Sequence, residues 1–505
     1  MKTVCPGCNL VCGLYIDNGN IDFRKNAPVN AGKLCKFGMK LPEYYAQPQI
    51  KSTKSKMSKA INEASKILSS VDKSKVAYVS VGNTTCEEHL AFMELASTMS
   101  AVVNTGFGVF GDLPIGVGIP LEEIENAKNI ILAFINPYEQ YPLLTRRILK
   151  AKNNGANIIN IGFFKNRNLA SENYILNPTN YILELLELKL NGFANGVIIS
   201  DLHFYTNPEV VKILLNLAKS TNSKITFMKP FVNSSGSIIL SKPDNQKSIP
   251  QILEGCISGD IKVLYLLETD LIQIMPDESK VISALENLDA LIVQQSTKTP
   301  ITEYANILLI SERFFEKKGT VVNVEGRVQE NEGISTKGIQ IISNMSLKLN
   351  KNALEYSDLH NKVLTSLNIK SDASLNEYEI PSYPKTPLNM DTTVSETVQE
   401  QKMQSSASLS SASLKDMETS LMYLYNPFLW HGVNEYDFVE LNLDTVKNLK
   451  LDKGGMVELI SNNGTIRKPY KVSLDIPNNI CISRSKLPIN INNISPIKLK
   501  KPIKV

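Results

Sequence analysis

Nowhere in the 505 residues is there an apolar run long enough to cross a bilayer, and the first residues lack the charged, apolar and small-residue pattern of an export signal. The first cysteine pair begins at Cys5, which leaves no room for a cleavable leader, so a cytoplasmic location is predicted, with peripheral attachment to a membrane complex left open. An excess of one charge sign is also missing. Lys and Arg number 54 against 50 Asp and Glu, a net +4 that makes no electrostatic case for nucleic acid. Histidine is scarce, with four residues in all; His89 and His360 fall in helical patterns and His203 follows a strand, so these three read as core or surface side chains. What remains is 43% apolar and 21% charged, the balance of a globular protein too long for a single hydrophobic core.

Cysteine is where the chain concentrates its chemistry. Cys5-Pro6-Gly7-Cys8-Asn9-Leu10-Val11-Cys12 is followed, after a span of Asn and Gly turns, by Cys35-Lys36-Phe37-Gly38. A tight Cys-x2-Cys turn presents two sulfurs to one centre while its amides point at the same place, which suits a [4Fe-4S] cluster held by Cys5, Cys8, Cys12 and Cys35. A structural zinc is the alternative, although it usually takes two Cys-x2-Cys knuckles. Cys86, Cys256 and Cys481 are scattered and read as small buried hydrophobes.

Residues 1–52 alternate short extended segments with turns and read as a β-rich cap carrying the metal centre. A helical pattern begins at Ser58, and from there β-branched runs alternate with amphipathic helices. The runs include 76–81, 129–135, 157–161, 196–200, 224–227, 262–267 and 290–294, with helices expected over 86–99 and near 142–153. Strands this apolar must be covered on both faces, so residues 53–384 predict an α/β body of two interleaved, doubly wound units with parallel sheets. Ligands of such sheets gather at the carboxyl ends of strands, where Asn136-Pro137 and Glu268-Thr269-Asp270 stand, although turn chemistry alone accounts for these residues. A Ser/Thr/Gln-rich tract over 385–418 reads as a linker, residues 419–488 as a β-barrel, and the Lys-rich 489–505 as a solvated tail.

A cysteine cap, two doubly wound units and a barrel in that order resemble the molybdopterin oxidoreductase superfamily. It includes formate dehydrogenase catalytic subunits, the B subunit of formylmethanofuran dehydrogenase and the large iron–sulfur subunit of NADH:quinone oxidoreductase. The resemblance rests on the cysteine pattern, on Asn136-Pro137 with Pro142, and on the stretch from Glu316 to Gln329, which is similar to that of the quinone-reducing subunit. The segment from Tyr425 to Gly432 is similar to the family's dinucleotide-binding barrel. The resemblance implies a molybdopterin dinucleotide carrying Mo or W, with Asn136, Gly319, Asn323, Arg327 and His431 as candidate contacts. Arg327 supplies a cationic fork suited to a phosphate, and equally suited to pairing with Glu325.

Three departures from the family pattern follow. No cysteine or serine stands where the metal ligand is expected after Val102-Val103-Asn104, and Phe110 is near that position. Phe37 replaces the lysine that formate dehydrogenases place after the fourth cysteine, and Gly162-Phe163-Phe164 replaces an Asp-Pro-Arg that holds the dinucleotide. The expectation is therefore an electron-transfer subunit with one cluster and a degenerate catalytic site. Its partners would be redox subunits carrying further iron–sulfur, flavin or nicotinamide centres. The rivals are an active Mo- or W-pterin oxidoreductase acting on formate or a formyl compound, and a zinc-capped scaffold.

Overall fold

Runs such as Val263–Leu267 and Ala290–Gln295 are buried at every position, which only a sheet covered on both faces permits. The computed structural model describes residues 1–502 except 18, 47, 48, 51, 112, 191, 242–245, 370–416 and 425–436. Two parallel five-stranded sheets form the body. The first has the order Ile307–Ile310, Ala290–Gln295, Val263–Leu267, Val76–Val79, Val102–Asn104. The second has the order Lys224–Met228, Val197–Asp201, Asn129–Ala133, Asn157–Gly162, Glu172–Ile175. The chain thus starts one sheet, builds the other whole, and returns to finish the first.

Helices cover both sheets where the apolar periodicity places them. Cys86–Thr98 and Pro142–Asn153 match the expected spans closely, while the first long helix starts earlier than Ser58, at Lys54. Its start is set by a cap: Thr53 Oγ1 accepts the Lys56 N–H at 3.2 Å. The N-terminal segment forms a three-stranded antiparallel sheet, Lys2–Val4, Gly13–Asp17 and Asn20–Phe23, that turns Leu14 and Ile16 inward and Tyr15 and Asp17 outward.

A closed six-stranded barrel ends the chain, ordered Met417–Tyr423, Ile480–Ser483, Val439–Leu441, Gly464–Val472, Met456–Ser461, Ile494–Lys500. The last strand corrects the expected solvated tail over 489–505. Ile497 and Leu499 point into the barrel core while Pro496 and Lys498 face water, so the lysines occupy the outer face of a strand that seals the barrel. It pairs antiparallel with both Met417–Tyr423 and Met456–Ser461. The expected linker over 385–418 lies outside the described residues up to 416, and its last two positions open the barrel's first strand.

Candidate metal centre

All four N-terminal cysteines come to one place. Cys5, Cys8, Cys12 and Cys35 line a single apolar pocket, together with Gly7, Phe37 and Leu143. Among the described residues no three Cys, His, Asp or Glu side chains gather about one ion-sized point. The loop is closed by Cys5 N–H to Cys12 O at 2.8 Å and Val11 N–H to Cys8 O at 3.1 Å. Backbone N–H groups aim at the sulfurs: Gly7 at Cys5, Leu10 at Cys8, and Gly38 and Phe37 at Cys35. Burial nevertheless pushes every thiol up, Cys8 to about 12, and the sulfurs raise one another. Four thiolates in an apolar pocket need cationic charge between them, which iron supplies in a cluster and these amides then support.

Gly7 is dictated by Phe37. A Cβ there would lie 2.4 Å from the Phe37 ring, which is buried in the pocket wall at the position where a lysine was absent from the sequence pattern. Pro142 and Leu143 add another wall, and the stretch 316–332 supports the cysteine loop from outside the pocket. Its strands Lys318–Val322 and Val328–Glu332 form a hairpin whose turn holds the cysteine loop by successive carbonyls. Val324 N–H donates to Asn9 O at 2.8 Å, Asn323 Nδ2 to Leu10 O at 3.4 Å, and Gln329 Nε2 to Val11 O at 2.8 Å. Val11 has φ +59°, a conformation unfavourable for a β-branched residue and held here by these supports.

Asn9 is the residue that sequence reasoning missed at this site. Fully buried, its Nδ2 donates to Val232 O (3.1 Å) and Val322 O (3.2 Å), and its Oδ1 accepts from Ser235 Oγ (3.0 Å). Only the Asn-rich turn composition around it hinted at a bonding role.

The residues expected to meet a dinucleotide lie in different places. Asn323 sits under the cysteine loop, and its Oδ1 also shapes the hairpin turn by accepting from Glu325 and Arg327 N–H at 3.1 and 2.8 Å. Arg327 Nε donates to Glu325 Oε1 at 3.0 Å, while Glu325 Oε2 accepts from Leu121 N–H at 2.8 Å, so the pair braces the turn. Gly319 packs against the start of the helix Cys86–Thr98; a Cβ would stand 2.4 Å from Glu87 Oε2 and 2.8 Å from Thr85 Cβ. Asn136 stands just before the short helix Pro137–Gln140 without a side-chain capping bond, and its buried Oδ1 has no hydrogen-bond partner among the described residues. His431 lies outside the described residues.

Phe110 is buried beside Phe107, whose ring stands 5.1 Å from Phe204, itself 5.8 Å from Phe231. These rings belong to one apolar cluster that joins Val79 and Val81 beside the first sheet to Ile131 and Ala133 of the second. Phe163, after Gly162, packs against Phe134 and Tyr181 at 5.3 Å each. Lys229 is fully buried at this level, its Nζ donating to Ile115 O and Phe227 O at 2.9 Å each, and burial pushes its pKa down to about 7. Cys86 is buried at a helix start with its thiol on Asn233 Oδ1 at 3.4 Å, away from the four-cysteine pocket.

A second recess lies between the carboxyl ends of the second sheet and the barrel, with Asp201 and His203 in its wall. Asp201 accepts from Tyr141 Oη at 2.8 Å, meets His203 Nε2 at 2.6 Å, and is bonded by Gln140. Tyr141 in turn lies close enough to Cys8 for the thiolate charge to raise its pKa, after burial and Asp201. The sequence signal was an Asp and a His closing an apolar run, the pattern of a strand's carboxyl end.

At the carboxyl end of the first sheet, Lys317 is buried among Glu88 and Glu268, the latter at 3.0 Å, and these acids together with Glu312 hold its charge on. Nearby His89 is fully buried, with Ser80 Oγ at 2.9 Å, and desolvation pushes its pKa down to about 4. The unfolded chain binds that proton near pH 6.5, so the contribution of neutral His89 is complete above that pH and is lost as the pH falls toward 4. Denaturant titrations at the two ends of this window are expected to differ by about 3 kcal/mol from this residue. A His89→Gln variant should show a flatter profile; an unchanged slope would mean that His89 does not titrate on unfolding.

A family model described as molybdopterin oxidoreductase matches residues 56–339. The F420-dependent formate dehydrogenase subunit alpha of Methanocaldococcus jannaschii is 23% identical over 94% of this chain and 93% of its own. A subunit of the NADH-quinone oxidoreductase of Pseudomonas fluorescens is 32% identical over 24% of this chain and 13% of its own. Among solved structures, acetylene hydratase from Pelobacter acetylenicus shares the fold, with a TM-score of 0.59 at 9% identity, over 95% of this chain and 92% of that one. The two interleaved parallel sheets, the terminal barrel and a family match across most of the α/β body lead to one conclusion: the chain belongs to the molybdopterin oxidoreductase family.

Proposed function

We propose that this chain is an electron-relay subunit that passes single electrons through one [4Fe-4S] cluster held by Cys5, Cys8, Cys12 and Cys35, within a larger redox complex. The observation that carries the reading is the ring of four thiols around one apolar pocket, with N–H groups directed at the sulfurs. The Cys-x2-Cys-x3-Cys spacing with a lone fourth cysteine, in place of two Cys-x2-Cys knuckles, supports a multi-iron cluster over a single zinc. When bound, the cluster supplies one-electron chemistry; the chain's part is to exclude water with Phe37 and Leu143, hold the loop through Asn323 and Gln329, and offset charge with backbone dipoles. Relatives named as subunits of formate dehydrogenase and of NADH-quinone oxidoreductase support a place in a multi-subunit assembly. No described helix is long and apolar enough to cross a membrane.

The pterin site is read as degenerate. Phe110, Phe107, Phe204 and Phe231 belong to the apolar cluster that joins the two sheets, the sequence after Val102–Asn104 carries no cysteine or serine through residue 118, and the Cys86 thiol lies on Asn233 Oδ1. Aromatic walls leave pterin phosphates without donors, a cost of several kcal/mol for each unpaired buried charge. The rival reading, an active Mo- or W-pterin enzyme, is favoured by the near full-length likeness to a formate dehydrogenase subunit. Metal analysis of anaerobically purified protein decides between them. About four iron and four sulfide per chain, without Mo, W or the fluorescent pterin oxidation product, is the expected result. Near-stoichiometric pterin would overturn it and make Asn136 the first residue to examine.

A further inference from the structure

Three of the four thiols are buried, and Cys35 alone is partly exposed. The hairpin 318–332 holds the cysteine loop through the carbonyls of Leu10 and Val11, the first turn of the helix Pro142–Asn153 lines the pocket, and Cys35 is the edge of the centre that meets solvent. The segment that carries Cys35 is rich in cationic side chains. Residues 24–40 include Arg24, Lys25, Lys33, Lys36 and Lys40 and no Asp or Glu, in a chain whose charges otherwise nearly balance. Lys25, Lys33 and Lys36 reach solvent, and Met39, four residues after Cys35, is 54% exposed. Arg147 ties the neighbouring helix to this segment by donating to Val29 O at 2.7 Å and Pro28 O at 3.3 Å, and exposed Arg146 stands beside it. Glu125, on that helix's flank, is taken up by Arg147 and Lys150, and exposed Asp22 and Glu43 bound the cationic segment at its two ends.

We propose that the surface around Cys35, Lys33, Lys36, Met39 and Arg146 is the docking face for an acidic redox protein, which exchanges single electrons with the centre across the Cys35 edge. The inference rests on the electron-relay reading above and adds the chemistry of the partner. An apolar residue within a cationic rim fits a protein interface, with Met39 as its contact and carboxylates on the partner steering encounter. The step moves one electron: the cluster is oxidised by one unit, the partner's acceptor is reduced by one, and no bond or proton changes hands.

The test uses the full chain, cluster loaded and reduced. Its oxidation by hexacyanoferrate(III) and by tris(phenanthroline)cobalt(III) is followed by stopped flow at low and high salt. The anionic oxidant should slow by about tenfold as salt screens the rim, and the cationic one should quicken. In the Lys33→Glu/Lys36→Glu double variant both salt responses should vanish or reverse, while Lys66→Glu, on the helix Lys54–Ser70, should behave as wild type. A cluster-independent readout accompanies this: fluorescein-labelled decaglutamate should bind the wild type at low salt by anisotropy and be lost from the double variant. Equal salt responses in wild type and double variant, both with full iron, would overturn the proposal alone. A wild type without iron would overturn the relay reading and this proposal with it. A short DNA duplex bound more tightly than decaglutamate at the same residues would reassign the face to nucleic acid.

Discussion

Replacing Cys8 or Cys12 by serine is expected to strip the protein of its brown absorption and of its reduced-state EPR signal. Both sulfurs are buried in the wall of the four-thiol pocket, and serine offers iron a hydroxyl that is a far weaker ligand than a thiolate. With three thiols left, the cubane loses a corner, and iron should fall from about four per chain to well under one after gel filtration. The fold of the body should survive, because the two sheets and the barrel are built without these residues, and circular dichroism reads this separately. Cys86→Ala serves as the comparison, since its thiol lies on Asn233 and outside the pocket. Full iron and an unaltered EPR spectrum in both serine variants would remove the basis for the relay.

Asn9→Leu should be almost as damaging without touching a single ligand. The side chain satisfies the carbonyls of Val232 and Val322 and the hydroxyl of Ser235, all in the interior. Leucine is similar in size but leaves those groups bare, at about 1–3 kcal/mol for each unsatisfied partner, so a loss of about 3–5 kcal/mol is expected. The damage falls on the contact between the cysteine loop and the body. Proteolysis should therefore cut the N-terminal 40 or so residues in the variant at conditions where the wild type resists. Iron should also leave more quickly to a chelator. Asn9→Asp, which keeps the acceptor to Ser235, separates the bond from the packing. Wild-type resistance and iron retention in Asn9→Leu would show that the loop is held by its backbone bonds alone.

How much of this was visible in the residues depends on whether an interaction is local. The four cysteines, the Pro6-Gly7 turn and the fully apolar strands announce themselves within a few positions, and the two parallel sheets and barrel follow from them. Partners distant in sequence did not. Asn323 and Arg327 looked like cofactor contacts because amide and guanidinium groups suit a phosphate. The structure turns Asn323 toward Leu10, a match across 313 residues that no local pattern encodes, and pairs Arg327 with Glu325, the local alternative that the sequence offered. Tyr141 and Asp201 lie at the carboxyl ends of different strand connections and meet only when the second sheet forms. Lys229 reads in sequence as an ordinary polar residue after a strand, yet it is buried on two carbonyls. The strand Ile494–Lys500 was hidden by composition: its period of two is clear once its lysines are seen as one face only.

The return of the chain to its first sheet sets an order of assembly. Val76–Val79 pairs with Val263–Leu267, and Asn9 bonds to Val322 across 313 residues of sequence, so neither partnership can exist early in synthesis. The second sheet, whose strands all lie between Asn129 and Met228, can form while the first still waits for three of its five strands. Closing such distant contacts is slow, because the entropy of the intervening loop is lost before the contact compensates for it. The cysteine loop is therefore made well before the body that holds it and is among the last segments to gain its supports. Until residues near 330 have been added, its thiols remain open to the cell's iron–sulfur delivery machinery and to oxidants alike.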